Sequence, residues 1–347
     1  MHIAFVARKT LYSQPGGDTV QVEQSAAALR RQGHNVSITT SGTPLPDNID
    51  VLHGFNLGRP ADLLPYFTSF AGKKVLSSIY VDYALADSVR FPLLYKVLGK
   101  HGLEHLKTLA RAVNGSDRWP GLAYALRGQR RSVKALLKHT HTVLTSSHSE
   151  ARRLEQDFGT LQKTITVPLG VADEFLTPPK EGSKEGILML GRLEWLKNQK
   201  TVIQWASKHQ WPLTVVGDPN KNQPGYYREC KAAAGQTITF LPHTSGEELL
   251  ALLDSHKLLV VPSHFESFSL VGWEAAARGM KVLFNEVEDM KETLAPIGEG
   301  MDFSDEAACA LRIEEALAET TDIKKSQALL ESRSWDQIVM QILAAYA

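Results

Sequence analysis

The chain has 347 residues, of which 43% are hydrophobic and 22% are charged, and its 38 basic and 38 acidic side chains give a formal net charge of zero. This length exceeds what one hydrophobic core usually holds, so two domains are predicted. The apolar content excludes a disordered chain. Because nucleic-acid-binding proteins usually carry a strong basic excess, no nucleic-acid partner is expected.

Cysteine content and the start of the chain indicate a compartment. The two cysteines, Cys230 and Cys309, form neither a CxxC motif nor a zinc-like cluster with histidines, which is typical of a reduced cytoplasmic protein. The chain runs from Met1 directly into the apolar segment 3–7, which reads as a strand rather than a signal peptide. No apolar stretch reaches the roughly 18 to 20 residues that span a bilayer. We therefore expect membrane contact to be peripheral, at the inner face of the cell membrane.

Short apolar runs alternate with longer helical patterns, as in βαβ units with parallel sheets. The strands predicted in the first half are 3–7, 36–39, 51–54, 75–80, 142–145 and 164–167. Those predicted in the second half are 187–190, 213–216, 237–241, 258–261 and 282–284. The fold class is therefore α/β, with two successive doubly wound halves.

Helix boundaries are predicted from caps and spacing. The first helix should bury Val22, Ala26 and Leu29 and end at Gly33. Capping boxes are predicted for two further helices, and a last amphipathic helix is predicted over 335–346. The capping pairs are Ser147 with Glu150 and Ser245 with Glu248.

A polar, proline-containing stretch at 177–183 predicts a linker between domains at 1–176 and 184–333. Ligands of doubly wound sheets bind beyond the carboxyl ends of the strands. With two such domains facing each other, the cleft between them is the expected site.

Positive charge is concentrated in the segment 90–138, where eleven cations stand against two acidic residues, Glu104 and Asp117. The cations are Arg90, Lys96, Lys100, Lys107, Arg111, Arg118, Arg127, Arg130, Arg131, Lys134 and Lys138. Aliphatic side chains are interleaved with them, at Leu93, Leu94, Val97, Leu98, Leu103 and Leu106. The pattern predicts a helical insertion that binds anionic headgroups and dips leucines into the interface. The alternative is a solvated helical pair whose leucines face the core.

A glycine pair, Gly16-Gly17, lies between the first strand and the first helix. Backbone N–H groups at such a turn can approach an anion, and the helix N-terminus favours negative charge. A plain strand-to-helix turn is the alternative. The segment does not match GxGxxG, since no third glycine follows, and a dinucleotide-binding dehydrogenase is disfavoured.

Two cations, Arg192 and Lys197, follow a predicted strand of the second half and the glycine that ends it. A guanidinium binds phosphate through paired hydrogen bonds and an ammonium acts as a point charge, so the pair suits a diphosphate. The alternative is a solvated basic turn.

Two glutamates, Glu266 and Glu274, follow the strand 258–261 in a loop that leads into a helix. Carboxylates bind vicinal hydroxyls, so one could hold a sugar and the other a ribose. The N–H groups of the loop between them can take a phosphate. The apolar context of Phe268, Leu270 and Trp273 disfavours the alternative of two surface carboxylates.

In this order and on these elements, the three motifs resemble the family-4 retaining glycosyltransferases of the GT-B fold. The resemblance covers essentially the whole chain. It includes the segment 169–173, similar to the family's Asn-Gly-Val-Asp, and Ser334-Trp335 at the start of the last helix. In such enzymes this helix crosses back, which implies that 335–347 belongs to the first domain.

The resemblance implies a role for each matching residue. Arg192 and Lys197 would hold the donor diphosphate, Glu266 the donor sugar and Glu274 the ribose. Backbone N–H groups from both domains would complete a phosphate cradle. The donor-binding positions besides Glu274 are Gly16, Gly17, Ser267, Phe268, Ser269, Leu270 and Val271.

The sequence departs from the family at three places. Ser267 and Ser269 replace two glycines of the Glu-Gly-Phe-Gly loop, and Leu169 replaces an asparagine. On the acceptor side the family often has His-Asp, whereas Tyr80 and Asp82 stand here without the histidine.

No Asp-x-Asp motif occurs, so cations are expected to replace a metal, and no cofactor is expected. The dispersed histidines His53, His101, His105 and His243 are not expected to bind a metal. The resemblance thus implies transfer of a sugar from UDP or GDP to a saccharide or a lipid-linked saccharide in cell-surface polysaccharide synthesis. The alternatives are a nucleotide-sugar epimerase or hydrolase of the same fold, and a non-catalytic nucleotide-sugar-binding protein.

Overall fold

The structure of the protein, a computed structural model, describes residues 1–113, 119–161, 163–180, 182–319 and 327–347. Two of the charged residues considered above, Arg118 and Asp117, lie outside the described residues. The chain forms two compact units, one of Met1–Gly170 with Trp335–Ala347 and the other of Val171–Ser334.

In the described part of the first unit, six parallel strands form a sheet in the order β2-β1-β3-β4-β5-β6. The strands are β1 His2–Ala7, β2 Asn35–Thr40, β3 Val51–Phe55, β4 Lys73–Ser77, β5 Thr142–Thr145 and β6 Thr164–Thr166. The helices are α1 Gly17–Arg31, α2 Pro60–Ser69, α3 Ala84–Arg90, α4 Pro92–Val113, α5 Leu122–Arg127, α6 Gln129–Lys138 and α7 His148–Phe158. The C-terminal helix also belongs to this unit.

In the described part of the second unit, six parallel strands follow the order β12-β11-β10-β7-β8-β9. The strands are β7 Ile187–Leu190, β8 Leu213–Val216, β9 Ile238–Leu241, β10 Leu258–Val261, β11 Lys281–Asn285 and β12 Glu299–Met301. The helices are α8 Asp173–Leu176, α9 Gln199–His209, α10 Pro224–Ala233, α11 Gly246–Ser255, α12 Leu270–Ala277, α13 Glu288–Leu294, α14 Glu306–Ala318 and α15 Gln327–Glu331, with a 3₁₀ turn at Trp195–Lys197. The C-terminal helix is α16, Trp335–Tyr346.

The predicted α/β class and the strand positions are confirmed, with two differences. β4 ends at Ser77, three residues before the predicted end, because Ile79 takes a left-handed φ of 42° and turns the chain out of the sheet. β12 was missed because its three residues, Glu-Gly-Met, contain no apolar run.

The two predicted capping boxes differ in outcome. The Ser147 hydroxyl accepts a hydrogen bond from the Glu150 N–H at 3.1 Å, as a cap should. The Ser245 side chain makes no capping hydrogen bond, so that prediction is wrong. The first helical residue there, Gly246, has a φ of 58°, which turns the first N–H groups away from the serine.

The breaker-rich stretch 177–183 lies within the second unit, and the units divide at 170/171. The buried guanidinium of Arg278 forms two hydrogen bonds to Asp254, at 2.8 and 2.7 Å, and donates to the Thr177 carbonyl at 2.6 Å. The Lys180 N–H donates to the same aspartate at 3.1 Å. This buried ion pair therefore fixes the start of the stretch to the second unit.

The C-terminal helix is anchored in the core of the first unit. His53 on β3 is fully buried, and its ring nitrogens lie 2.7 Å from the Tyr346 hydroxyl and 2.9 Å from the Ser77 hydroxyl. Burial lowers the pKa of His53 to about 3, so the ring is neutral and can donate at one nitrogen and accept at the other. A second contact joins Arg31 on α1 to Asp336 on α16 at 2.8 Å.

The first prediction tests this anchor. Tyr346→Phe removes the hydroxyl and leaves a buried histidine nitrogen without its partner, so the free energy of unfolding should fall by about 1–3 kcal/mol. Urea denaturation followed by circular dichroism measures the change. Tyr12→Phe is the control, since Tyr12 is exposed and bonds Glu23 at the surface. Equal, small effects of both substitutions would contradict the anchoring role.

Candidate functional site

The second sheet has a reversal in strand order between β7 and β10. These two strands pair in parallel, with Ile187 opposite Leu258 and Leu188 opposite Leu259, although β8 and β9 lie between them in the chain. Ligands of such sheets bind beyond the carboxyl ends of the strands at this switch point. The loops that leave β7 and β10 carry the predicted residues 192–197 and 266–269, so the topology places both groups at one edge.

The loop after β7 is shaped by a close approach of two strand ends. The Gly191 N–H donates to the Val216 carbonyl at 3.0 Å. A side chain at Gly217 would place its Cβ 2.1 Å from the Gly191 carbonyl oxygen, and Gly217 has a φ of 147°. Glycine is therefore required at 217. The loop continues through the 3₁₀ turn, which ends at Asn198 in the left-handed conformation.

Two predicted catalytic residues are in direct contact. Lys197 Nζ lies 2.9 Å from Glu266 Oε1, and the side chain of Glu266 is 9% exposed. The Ser263 hydroxyl donates to the same carboxylate oxygen at 2.6 Å. The loop after β7 and the loop after β10 are thus joined by an ion pair that lies at the switch point.

Backbone contacts hold the same two loops together. The His264 N–H donates to the Leu196 carbonyl at 2.8 Å, and the Asn198 side-chain amide donates to the Pro262 carbonyl at 3.2 Å. The rings of Trp195 and His264 pack with centroids 4.5 Å apart. The third predicted catalytic residue, Arg192, begins the first of these loops and its side chain is exposed.

The loop after β10 enters α12 at Ser269. The Ser269 hydroxyl is buried and has no hydrogen-bond partner among the described residues, and it makes no capping bond to the helix. The first turn contains Leu270 and Val271, whose N–H groups precede the first intrahelical bonds. A loop and helix start of this kind can bind an anion.

The other predicted donor-binding positions surround this helix start. Ser267 and Phe268 are half-buried, and the Phe268 ring lies parallel to that of Trp273, with centroids 6.4 Å apart. The Trp273 ring nitrogen donates to the Thr293 carbonyl at 3.0 Å, which fixes α12 on the unit. These apolar contacts orient the loop.

Glu274 lies on the same helix, one turn further along. Burial, with a smaller contribution from the negative charge of Glu174, raises the pKa of Glu274 from 4.5 to about 7. Within the described residues its carboxylate accepts no hydrogen bond. Since a half-buried carboxylate without a partner is costly, a ligand hydroxyl would stabilise its ionised form.

Gly16 and Gly17 belong to the first unit, whereas the cationic and acidic donor positions belong to the second. Gly17 begins α1, and the Gly16 N–H already donates to the Thr19 hydroxyl at 3.1 Å. The loop before them is held by Arg8, whose guanidinium bonds both carboxylate oxygens of Asp18, at 2.6 and 2.9 Å. Neither glycine has a positive φ, so the backbone conformation alone does not require them.

The predicted acceptor-side residues lie at the carboxyl end of β4. The Tyr80 hydroxyl donates to Asp157 at 2.6 Å, and burial with this contact raises the pKa of Tyr80 well above its usual value. Lys100 Nζ lies 2.5 Å from an Asp157 oxygen and 3.8 Å from an Asp82 oxygen. Tyr80 and Asp82 are therefore linked indirectly, through the pair that Lys100 forms with Asp157.

Several residues of these sites escaped sequence reasoning. Glu150, fully buried, accepts from the Ser78 hydroxyl and the Tyr80 N–H, both at 2.6 Å, and so holds the turn after β4. Ser263 orients Glu266 through a hydrogen bond. It directly follows Pro262 and stands three residues before the glutamate, a spacing that could have drawn attention to it. Nothing in the sequence indicated that Lys100 on α4 meets Asp157 on α7, because the two residues are 57 positions apart in the chain.

Comparisons with known proteins were made with the whole chain. Residues 173–332 match the family described as glycosyl transferases group 1. A glycogen synthase of Mycobacterium tuberculosis is 28% identical over 169 residues, which are 46% of this chain and 41% of that protein. The matched region thus spans about two fifths of the length of the first curated relatives.

Solved structures resemble the chain over its whole length. Sucrose-phosphate synthase (tll1590) from Thermosynechococcus elongatus superimposes with a TM-score of 0.76 at 17% identity, covering 100% of this chain and 98% of the other. Anabaena Alr3699/HepE in complex with UDP has a TM-score of 0.70 at 14% identity, covering 99% of each chain. These likenesses show the GT-B fold. The family match covers 173–332, which is most of the second unit, and the fold of the whole chain resembles that of the solved GT-B structures.

The described residues contain neither a cluster of metal ligands nor a helix that could span a membrane. Within the described ranges, no three His, Cys, Asp or Glu side chains group together as metal ligands. The metal-independent reaction stays a prediction. In the same part of the chain, no helix combines the length and hydropathy required to cross a bilayer.

The second prediction concerns the pH dependence of stability at Glu274. The pKa of Glu274 in the folded protein, about 7, exceeds the ordinary 4.5. The contribution of this group to the free energy of unfolding is therefore complete below about pH 4.5 and is lost as the pH rises through 7. Glu274→Gln should remove this loss, which is on the order of 2 kcal/mol for a half-buried group.

Urea denaturation at pH 5 and pH 8 measures this pH-dependent loss of stability. The wild type should lose more free energy of unfolding between these pH values than the Gln variant does. Glu229→Gln, at an exposed carboxylate on α10, is the control and should follow the wild type. Parallel pH profiles for all three proteins would contradict the assignment.

Proposed function

We propose that this chain is a retaining glycosyltransferase that moves a sugar from a UDP- or GDP-sugar to a saccharide or lipid-linked saccharide, without a metal, in cell-surface polysaccharide synthesis. The observation that carries the proposal is the Lys197–Glu266 pair at the switch point of the second sheet, beside the start of α12. The group 1 domain that contains it, and the UDP held by the similarly folded Anabaena protein, support the donor class.

Each side chain has a chemical role in this proposal. Departure of a nucleoside diphosphate leaves negative charge, which Arg192 and Lys197 stabilise, and stabilisation of developing charge is often the largest single contribution to catalysis. Glu266 accepts hydrogen bonds from the donor sugar hydroxyls. Because Ser263 donates to Glu266, the carboxylate keeps its orientation when Lys197 turns to the diphosphate.

The remaining contacts concern the nucleotide and the acceptor. The ribose hydroxyls donate to Glu274, whose carboxylate has room for these hydrogen bonds. The N–H groups of 269–271 bind a phosphate. Acceptor attack on the face from which the diphosphate leaves retains the configuration of the sugar, and a donor phosphate oxygen takes the proton from the acceptor hydroxyl. Tyr80 and Asp82 are proposed to contact this acceptor.

A nucleotide-sugar epimerase or hydrolase of the same fold would use the same donor contacts and would need no saccharide acceptor. A non-catalytic binding protein would hold the nucleotide sugar and leave it intact. Release of nucleoside diphosphate, measured with and without an acceptor, distinguishes the three. Release that depends on acceptor supports transfer, acceptor-independent release indicates hydrolysis, and no release with normal donor binding indicates a binding protein.

The third prediction concerns the donor-contacting side chains. Arg192→Ala, Lys197→Ala and Glu266→Ala should each lower turnover by about 100-fold or more, since charge-assisted contacts to a transferring group contribute a few kcal/mol. Lys200→Ala is the matched control, because this lysine stands three residues from Lys197 and pairs with Glu229 at the surface.

Turnover is measured as coupled release of nucleoside diphosphate, and circular dichroism checks that each variant is folded. Near-normal transfer by the Arg192→Ala, Lys197→Ala double variant would overturn the assignment of the diphosphate site.

The fourth prediction concerns the donor base and the metal. A donor at 100 times its Kd should stabilise the protein by about 2.7 kcal/mol, which a thermal-shift screen of UDP, GDP and ADP sugars detects. The shift and the transfer rate should be the same in EDTA as in magnesium. A strict requirement for magnesium or manganese would contradict the metal-free mechanism, and the absence of any shift would contradict the donor class.

A further inference from the structure

Exposed apolar side chains are concentrated in one part of the first unit. Of the seventeen large hydrophobic side chains exposed among the described residues, twelve lie between residues 83 and 126. Leu93 is 80% exposed, Val97 81% and Leu126 85%. We call these twelve side chains the apolar face: Tyr83, Leu85, Val89, Leu93, Leu94, Val97, Leu98, Leu106, Val113, Trp119, Leu122 and Leu126.

The apolar face is not part of the core of the unit. Gly99 takes a φ of 61° and a ψ of 179°, which breaks α4 into two helical parts. In the part before the break, Leu93 and Val97 stand four residues apart, on adjacent turns, and both point to solvent. After the break, Leu103 is buried whereas Leu106 is exposed. A concentration of large exposed apolar side chains on one block of helices is typical of an interaction site.

The cations of this region divide into two groups. Three of the four cations of α4 are paired within the protein: Lys100 with Asp157 at 2.5 Å, Lys107 with Asp87 at 2.7 Å and Arg111 with Glu104 at 2.9 Å. The fourth, Lys96, is exposed. The Lys100 pair ties the insertion to α7, and the other two pairs join residues of α3 and α4. The segment's cationic excess is therefore smaller at the surface than the sequence suggests.

The second group of cations forms a stripe along α5 and α6. Arg131, Lys134 and Lys138 are exposed on α6 at intervals of three and four residues, the spacing of one helix face, and the exposed Arg127 ends α5 just before the break at Gly128. The opposite face of α6 is buried through Val133 and Leu136. We call these four cations the cationic stripe, and within the described residues none of them contacts an acidic side chain.

The apolar face and the cationic stripe belong to one block of helices. α4 packs against α3 and α6, and α5 packs against α6. Stable attachment to a bilayer generally takes two signals, apolar insertion and electrostatic attraction to anionic headgroups. Long cationic side chains can reach headgroups while neighbouring aliphatic side chains lie deeper. A protein partner would need acidic groups arranged along the cationic stripe. An anionic bilayer offers headgroup charge to the stripe and an apolar interior to the apolar face, and it needs no specific arrangement of groups.

We infer that the block α3–α6 docks the protein onto an anionic lipid bilayer, with the apolar face entering the interface and the cationic stripe binding headgroups. The apolar face carries the insertion, and the stripe gives the preference for anionic lipid. This corrects the sequence-based expectation in one respect: Lys100, Lys107 and Arg111 of α4 form ion pairs within the protein.

One contact relates this surface to the proposed acceptor side. Lys100, the residue after the break in α4, reaches Asp157 and Asp82, and Asp157 accepts the Tyr80 hydroxyl. The docking helix is thus tied by one lysine to the residues proposed to contact the acceptor. On the proposed function, the acceptor is therefore a saccharide carried by a lipid of the same bilayer.

The fifth prediction tests docking with the full chain and vesicles of phosphatidylcholine, with and without phosphatidylglycerol. The wild type should co-sediment with the anionic vesicles at low salt and much less with the neutral ones. Leu93→Gln with Val97→Gln should weaken binding by about tenfold or more, as should Arg131→Gln with Lys134→Gln. The matched controls are Leu311→Gln with Met340→Gln, at exposed apolar positions elsewhere, and Lys221→Gln with Arg228→Gln for charge.

Three results would overturn the inference: a wild type that stays in the supernatant with anionic vesicles at low salt, variants of the apolar face and the cationic stripe that sediment like the wild type, or control variants that lose binding equally.

Sedimentation velocity without vesicles tests the alternative that the apolar face is a protein–protein interface. If Leu93→Gln with Val97→Gln abolishes a self-associated species while vesicle binding is unchanged, the face is a protein contact and the inference fails. Donor binding, measured by thermal shift in the same variants, is independent of docking, so failure of docking and failure of the donor site are told apart.

Discussion

The parallel pairing of β7 with β10 is the constraint on which the candidate site depends. Two strands far apart in the chain become neighbours, and because parallel strands end at the same edge, the loops that follow them must meet. The meeting brings Lys197 to Glu266 and sets both beside the start of α12. The close contact at Gly217 leaves the strand ends no room for a side chain, so the loop after β7 has little freedom.

Ion pairs serve two different purposes in the second unit. Arg278 and Asp254 are almost fully buried and bond to backbone groups of the stretch 177–180, so all their polar atoms are used by the fold. Lys197 and Glu266 are joined by one contact, and the lysine side chain is 28% exposed. A pair with spare hydrogen-bonding capacity and solvent access can exchange its partners for a ligand, whereas the Arg278 pair cannot do so without unfolding its surroundings.

In the first unit, buried polar groups position the carboxyl end of β4. Ile79 is held at a positive φ that a β-branched residue rarely adopts, and Glu150 accepts the N–H of the next residue. Strain of this kind persists where the surroundings fix it, and it clusters at functional sites. The turn presents Tyr80 and Asp82, and Lys100 connects them to the helical block that bears the apolar face.

The sequence by itself determined the α/β class, eleven of the twelve strands described, and the last helix, because burial on a sheet or on one helix face leaves a local periodicity in the residues. It also singled out Arg192, Lys197, Glu266 and Glu274 as candidate donor-binding residues, through residue chemistry and spacing after predicted strands, and their roles stay a prediction. It could not determine which charges pair. The tertiary structure alone decided that Lys107 and Arg111 serve the fold while the stripe from Arg127 to Lys138 stays exposed, and that Leu103 is buried while Leu93 is not. It also fixed the start of the stretch 177–180 to the second unit through Arg278. Such outcomes depend on contacts between residues distant in the chain, and local sequence patterns carry no record of them.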